Sequence, residues 1–389
     1  MNRGYFCLLC LTFRRQVPRE TVRDKFADKL YHEGEFHRVV GRLRTNLAFA
    51  AVAVTALLLS VAVLIGYLAT APSANTLRVG FFPNMTHAQA LFGIATGTYQ
   101  GAFGSEFSIQ SRAYNAGPNA ISALLTQQVD LVFVGPSPTL TGLAVAGPDV
   151  LRVIAGAASG GAAFVIQPYL NLTKDADFHF KTFASPQPAN TQDIALKHYL
   201  LTRGVTTKDR GGDVDIITPG NAGILTQFQQ HRIDGAWVPE PWATRLVQEG
   251  GGKVFLDERT LWPNGQFVTT QLVTTKRYLD GHRDILTKFL NAYVNVTLKL
   301  QRADAADLMI VNGEITNLTN VRLDQKIIDA AFLDLNLTYD PIGSSLATYL
   351  SWAQDLGFIA QGVHANSLYD LTLLNEILKG RGLPPVTGL

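Results

Sequence analysis

From Leu77 onward the chain predicts an α/β fold of two lobes that face each other across a cleft. Short apolar runs alternate with segments of helical period, the pattern of α/β units. The runs form two series, one from Leu77 and one from Thr182, and a β-rich stretch, Phe267–Thr275, returns to the first. Polar loops that open helices follow run after run, most plainly in Trp237-Val238-Pro239-Glu240-Pro241-Trp242. In open α/β sheets the carboxyl ends of strands are where ligands bind.

The first series reads as strands Leu77–Phe82, Phe107–Tyr114, Leu131–Val134 and Leu151–Ala157, with Phe164–Gln167 as a further strand leading out of the lobe. Between them His87–Tyr99, a helix opened by Gly117-Pro118, and another opened by Gly135-Pro136-Ser137-Pro138 carry the helical period; proline is tolerated there because the first amides of a helix have no intrahelical acceptor. The second series reads as strands Thr182–Ser185, Val214–Thr218, Gly235–Val238 and Lys253–Leu256. Its helices are Thr191–Arg203, capped by Asn190 or Thr191 with Asp193 in the first turn, one from Asn221 to about Gln230, and Pro241–Glu249. Asp284–Leu300 repeats apolar residues at Leu286, Phe289, Leu290, Tyr293 and Val294 with a helical period, and more helix is expected after it. The first lobe is then discontinuous, 76–175 plus 270–389, with 176–269 inserted as the second. Two lobes joined by two crossings form a clamshell that closes around a ligand.

The chain before residue 76 bears on location. Leu47–Ala69 is 23 residues without a charge. At ~1.5 Å per residue such a helix reaches ~34 Å, enough for a ~30 Å hydrocarbon core. The expectation is one N-terminal transmembrane helix or signal sequence over 47–69, with 1–46 as a cytoplasmic or leader segment. Arg38, Arg42 and Arg44 precede the stretch, and the next base is Arg78; the positive-inside rule puts 1–46 in the cytoplasm and the rest outside. Length favours an anchor, while Ala69-Thr70-Ala71 has the spacing of a cleavage site, opposed by Pro72. A start near Val39 or Val40 is a further reading.

Residues 1–46 hold ten Lys and Arg against five acids, +5 in a chain of formal charge +2, so the remainder is about −3. That excludes a basic nucleic-acid binder. Both cysteines, Cys7 and Cys10, precede the apolar stretch, so the exported part relies on core burial rather than disulfides. A lone CxxC without a second pair is weak evidence for a metal or redox site.

The loops deliver a consistent set of groups to the cleft: Asn84, Thr86 and His87, then Ser137, then Ser159 and Gly160 from the first lobe. The second lobe delivers Gln187, Asn190, Thr191 and Gln192, then Asn221, then Trp237, Glu240 and Trp242. Most are neutral hydrogen-bonding residues at helix N-termini, where backbone N–H groups and the dipole attract anions without Lys or Arg. Asn84, Asn190 and Ser137 also read as plain caps, His87 as a surface residue and Trp237 as core. Glu240, between two prolines and near two tryptophans, needs a partner: a ligand amine, a protein cation or solvent. The chain has no Gly-x-Ser-x-Gly, His-Glu-x-x-His or phosphate loop, and no acidic metal cluster, so neither a catalytic residue nor a metal or other cofactor is expected.

The chain resembles the type II periplasmic-binding-protein-like superfamily, and within it the solute-binding receptors of ABC importers for nitrate, sulfonates and taurine. The resemblance rests on Gly80–Ala88, Val134–Pro138, Ala158–Ala162, Ala184–Asp193 and Ala236–Pro241. It implies a monomeric clamshell whose loops line a small-molecule site, working with ABC permease and ATPase subunits at the extracytoplasmic face of the membrane. A pyrimidine-precursor group on the same fold, holding thiamine-precursor receptors and a biosynthetic enzyme, is the alternative; the enzyme's cysteine-rich motif is absent. An anchored sensor is a third reading, without an output domain to support it.

Overall fold

The computed structural model describes residues 52–60 and 75–389. Most of the apolar stretch 47–69, the segment 1–46 and its two cysteines lie outside the described residues. Within the stretch, 52–60 is helical with exposed side chains. Among the described residues no helix is long and apolar enough to cross a membrane.

Ala74–Leu389 is one unit built on two sheets. The first contains β1 (Thr76–Phe81), β2 (Ser108–Ala113), β3 (Leu131–Val134), β4 (Leu151–Gly160), β10 (Val268–Thr275) and β11 (Leu335–Leu337), in the order β11-β4-β10-β3-β1-β2. The second contains β5 (Ala162–Ile166), β6 (Thr182–Ala184), β7 (Asp215–Ile217), β8 (Gly235–Pro239) and β9 (Lys253–Asp257), in the order β7-β6-β8-β5-β9. In each sheet a parallel trio, β2-β1-β3 or β7-β6-β8, meets one antiparallel strand that has just crossed over, β10 or β5.

The first crossing differs from expectation. Phe164–Gln167 was to lead out of the first lobe, with a boundary near 175. Instead β5 pairs with β8 and β9 of the second sheet, so the crossing is the short joint Gly160–Gly161. Both glycines have positive φ, 75° and 68°, a region that costs an L side chain strain. The return crossing runs from Asp257 to Val268. β11 is a further departure: a three-residue strand pairing antiparallel with β4, in a region expected to be helical.

The inner strands of both sheets are covered on both faces, which is why they read as continuous apolar runs rather than alternating ones; the edge strand β2 is mostly exposed. One face of the first sheet packs Leu77, Phe81, Leu91, Phe289 and Tyr293 into a single core. The periodic residues Leu286, Phe289, Leu290, Tyr293 and Val294 of the helix Arg283–Leu300 are all fully buried there. The other face packs Val132, Leu140, Val273, Leu346 and Tyr349. The second sheet packs Phe164, Phe183, Leu196 and Trp237 on one side, and Val165, Phe228, Val238 and Leu246 on the other.

Candidate functional site

The parallel trios of the two sheets end at a common cleft. Its walls come from the loops after β1, β2 and β3 and the start of β10 on one side, and from the loops after β6 and β7 and the end of β8 on the other. Five helices begin at residues that line it. His87 precedes Ala88–Ala95, Ala116 precedes Gly117–Leu125, and Gly135 precedes Pro136–Ala146; Asn190 precedes Thr191–Thr202, and Asn221 opens Asn221–Gln229. Their first-turn amides lack intrahelical acceptors, and each N-terminus carries roughly half a positive charge.

Seven of the sequence-predicted residues are brought together here: Asn84, Thr86, His87, Asn190, Thr191, Gln192 and Asn221. All but half-buried Asn221 are buried. Their hydrogen bonds leave donors over. Thr270 Oγ1 donates to Thr86 Oγ1 at 3.1 Å, and Thr86 Oγ1 donates to Asn84 Oδ1 at 2.9 Å, so the Asn84 oxygen is engaged and its NH2 is left. Asn190 Nδ2 donates to Gln192 Oε1 at 3.1 Å, which leaves the Gln192 NH2. His87 Nδ1 accepts the Phe82 backbone N–H at 3.2 Å, which places the ring proton on Nε2. Burial drives the His87 pKa down to about 3, so the imidazole is neutral. No residue lining the cleft carries a charge at neutral pH. Buried Ser137 Oγ and Thr191 Oγ1, together with Gln187 Oε1 and Asn221 Oδ1, have no hydrogen-bond partner among the described residues.

The halves are in close contact. The cavity left between them is about 20 Å³, close to the room one water needs. A Cβ on Gly135 would lie 2.4 Å from Thr191 Oγ1, so glycine permits this approach of the two halves.

The other predicted residues lie elsewhere. Ser137 is buried in the first turn of Pro136–Ala146, behind Gly135. Ser159 Oγ accepts the Phe267 N–H at 3.2 Å, and the Gly160 carbonyl accepts the Thr269 hydroxyl; both fasten β4 to the return crossing. Gln187 sits half-buried in the loop before Asn190. Trp237 is fully buried in the second sheet's core, stacked on Phe164 with centroids 5.6 Å apart. Trp242 is half-buried, with the Arg245 guanidinium 4.5 Å from its ring centroid. Glu240 is buried but faces a separate cavity; its carboxylate accepts the Thr244 N–H at 3.1 Å, and no cation among the described residues lies within ion-pair distance. Burial, only partly offset by the Thr244 hydrogen bonds, raises its pKa to about 7.

The cleft also uses Phe82, Asn115, Thr269 and Thr270, which sequence reasoning missed. Thr269 and Thr270 carried a usable signal: two adjacent hydroxyls in an apolar strand need partners when the strand is buried on both faces.

Two sheets, two crossings and a cleft at the facing strand ends define the periplasmic-binding-protein class of fold. The chain belongs to the NMT1-like family, whose model matches residues 70–311. The taurine-binding periplasmic protein of Escherichia coli (strain K12) is 24% identical over 191 residues, 48% of this chain and 56% of the relative. The chain therefore spans about half the length of that curated relative. Among solved structures, the periplasmic nitrate-binding protein NrtA from Synechocystis PCC 6803 superposes with a TM-score of 0.67 at 15% identity, over 81% of this chain and 91% of that one. The alkanesulfonate-binding protein SsuA from Xanthomonas axonopodis pv. citri, bound to MOPS, gives 0.61 at 15% identity, over 79% and 99%. At these identities the likeness is one of fold.

Proposed function

We propose that the chain is the solute-binding component of an ABC importer and takes a small oxyanion, nitrate or a short aliphatic sulfonate, outside the cytoplasmic membrane. The observation that carries this reading is a cleft lined by five helix N-termini and by NH2 and Nε2–H donors, with neither a cation nor a carboxylate. Such a surface holds a weakly hydrated anion by many hydrogen bonds and releases it again. It offers no nucleophile–base pair, which supports binding without turnover. Closure of the halves on the ligand would present the permease with a distinct shape, and the apolar stretch 47–69 would serve as export signal or tether.

The cleft sharpens the choice of ligand. Glu240, the carboxylate considered for a ligand amine, faces another cavity, so a zwitterion such as taurine would bring its ammonium into a cleft without a counter-charge. The nitrate- and alkanesulfonate-binding relatives are better guides here than the taurine-binding one. The test is a thermal-shift and calorimetric titration of the full-length chain with sodium nitrate, methanesulfonate, taurine and formylaminopyrimidine at fixed ionic strength. A ligand at 100 times its Kd stabilises by ~2.7 kcal/mol. Stabilisation by the pyrimidine alone would overturn the anion reading, and product formation would overturn the binding-only one.

A further inference from the structure

A second concavity, of about 270 Å³, lies between the second sheet and the helix Gln325–Leu333. Its walls are the start of β5, the helix Trp242–Gln248, part of β9, and Ala330 and Asp334. Most of the surface is methyl and methylene: Ala162, Ala163, Ala243, Val247, Val254 and Ala330. Three carboxylates also face it: Glu240, Asp257 and Asp334.

The three are not equivalent. Arg259 Nη2 lies 2.6 Å from a carboxylate oxygen of both Asp257 and Asp334, so one guanidinium serves that pair at the rim. Glu240 is left over. It is 3% exposed, its hydrogen bonds come only from the neutral N–H and hydroxyl of Thr244, and Arg259 acts on it only weakly. Its main chain is pinned on both sides: its N–H donates to the Gly161 carbonyl at 2.8 Å, and its carbonyl accepts the Met85 N–H at 3.1 Å. The side chain is therefore held at the cavity. A buried carboxylate without a cation is costly, and the residues lining the cavity include three acids and no positive group.

We propose that this cavity is a second binding site, for a small organic cation of the primary-ammonium class, whose charge pairs with Glu240 and whose carbon stem lies on Ala163, Ala243, Val247 and Val254. The site is separate from the anion cleft and is independent of what the cleft binds. It has its own pH signature. The charged groups facing Glu240 are Asp257 and Arg259 from the end of β9 and the loop after it, and Asp334 from the end of Gln325–Leu333. With burial holding the Glu240 proton up to about pH 7, the ammonium must displace that proton, so affinity increases with pH.

The test is a calorimetric titration of the full-length chain with ethanolamine hydrochloride at pH 6 and pH 8, with sodium chloride and ethylene glycol as the salt and uncharged controls. Saturable binding by ethanolamine alone is expected, about tenfold tighter at pH 8, as the ionised fraction of a group with pKa near 7 requires. Glu240→Gln should abolish it, and so should Ala330→Leu, which fills the cavity from the opposite wall. Nitrate titrated into the same samples reads the cleft separately, and its result does not bear on this site. The absence of saturable binding at pH 8, equal binding of ethylene glycol, or unchanged affinity in Ala330→Leu would each overturn the proposal. Ala330→Leu decides the matter alone if Glu240→Gln does not fold.

Discussion

Tyr349 donates its hydroxyl to the Glu258 carboxylate at 2.6 Å. The indole N–H of Trp237 reaches the same carboxylate at 2.7 Å. Tyr349 belongs to the helix Gly343–Asp355, packed on the first sheet, and Trp237 to β8 of the second, so one acid at the head of the return crossing joins both halves. Glu258 is fully buried, and burial lifts its pKa to about 7 against the two hydrogen bonds.

Glu258 therefore holds a proton between pH 4.5 and 7 that the unfolded chain has released. Its contribution is full below pH 4.5 and is lost as pH rises through 7, a swing of about 3 kcal/mol. In Glu258→Gln that swing disappears. Melting curves from pH 5 to pH 8 should show a smaller fall in Tm for the variant than for the wild type. Parallel curves would mean that Glu258 does not titrate in this window.

His87 works in the opposite direction. Its folded pKa of about 3, set by burial, lies below the ordinary 6.5. The stability it carries is complete above pH 6.5 and fades as pH falls toward 3, by up to about 5 kcal/mol. In His87→Phe the acid limb of the stability profile should flatten, while the Phe82 N–H, left unpaired, costs about 1–3 kcal/mol near neutrality. Denaturant titrations at pH 4 and pH 7 check both parts.

Trp237 is a core residue, and its substitution should read as such. Trp237→Ala removes the stack on Phe164 and a donor to Glu258, and is expected to cost about 3–5 kcal/mol of stability. Anion affinity of the folded protein should stay within about twofold, a change of less than RT. A loss of affinity without a loss of stability would return Trp237 to the ligand site.

The cleft should discriminate against ammonium groups. Methanesulfonate is expected to bind at least about tenfold more tightly than taurine, since a desolvated, unpaired charge costs more than 1.4 kcal/mol. Asn190→Ala, which frees the Gln192 oxygen and removes a cleft amide, should weaken methanesulfonate by about 1–3 kcal/mol, the scale of hydrogen bonds to charged groups. Tighter binding of taurine would show that an acid reaches the cleft after all.

Continuous apolar runs made the buried strands plain in the sequence, and Leu131–Val134 has the same ends in both. The polar openings of helices likewise located half of the cleft residues, because a helix N-terminus at a strand end is a local pattern. What stayed hidden is not local. Ala162–Ile166 is equally apolar whichever sheet it joins, and only its partners β8 and β9 decide. Leu335–Leu337 is too short for a period to show. Trp237 and Glu240 are three residues apart in one motif, yet the pleat and the turn after β8 send one into the core and the other to the rear cavity. Thr269 and Thr270 reach the cleft through the chain's return to the first sheet, a contact between residues that are far apart in sequence.

That return also sets the order in which the molecule can be assembled. All five strands of the second sheet lie between residues 162 and 257, so a nascent chain holds that sheet whole once residue 257 has emerged. The first sheet cannot close so early, because its strand between β3 and β4 is β10, and β11 follows only at 335–337. Until then β3 and β4 present unpaired edges, the features that make a partly made chain prone to aggregate. The inserted half is thus finished first, and the other half is completed only by the last third of the chain.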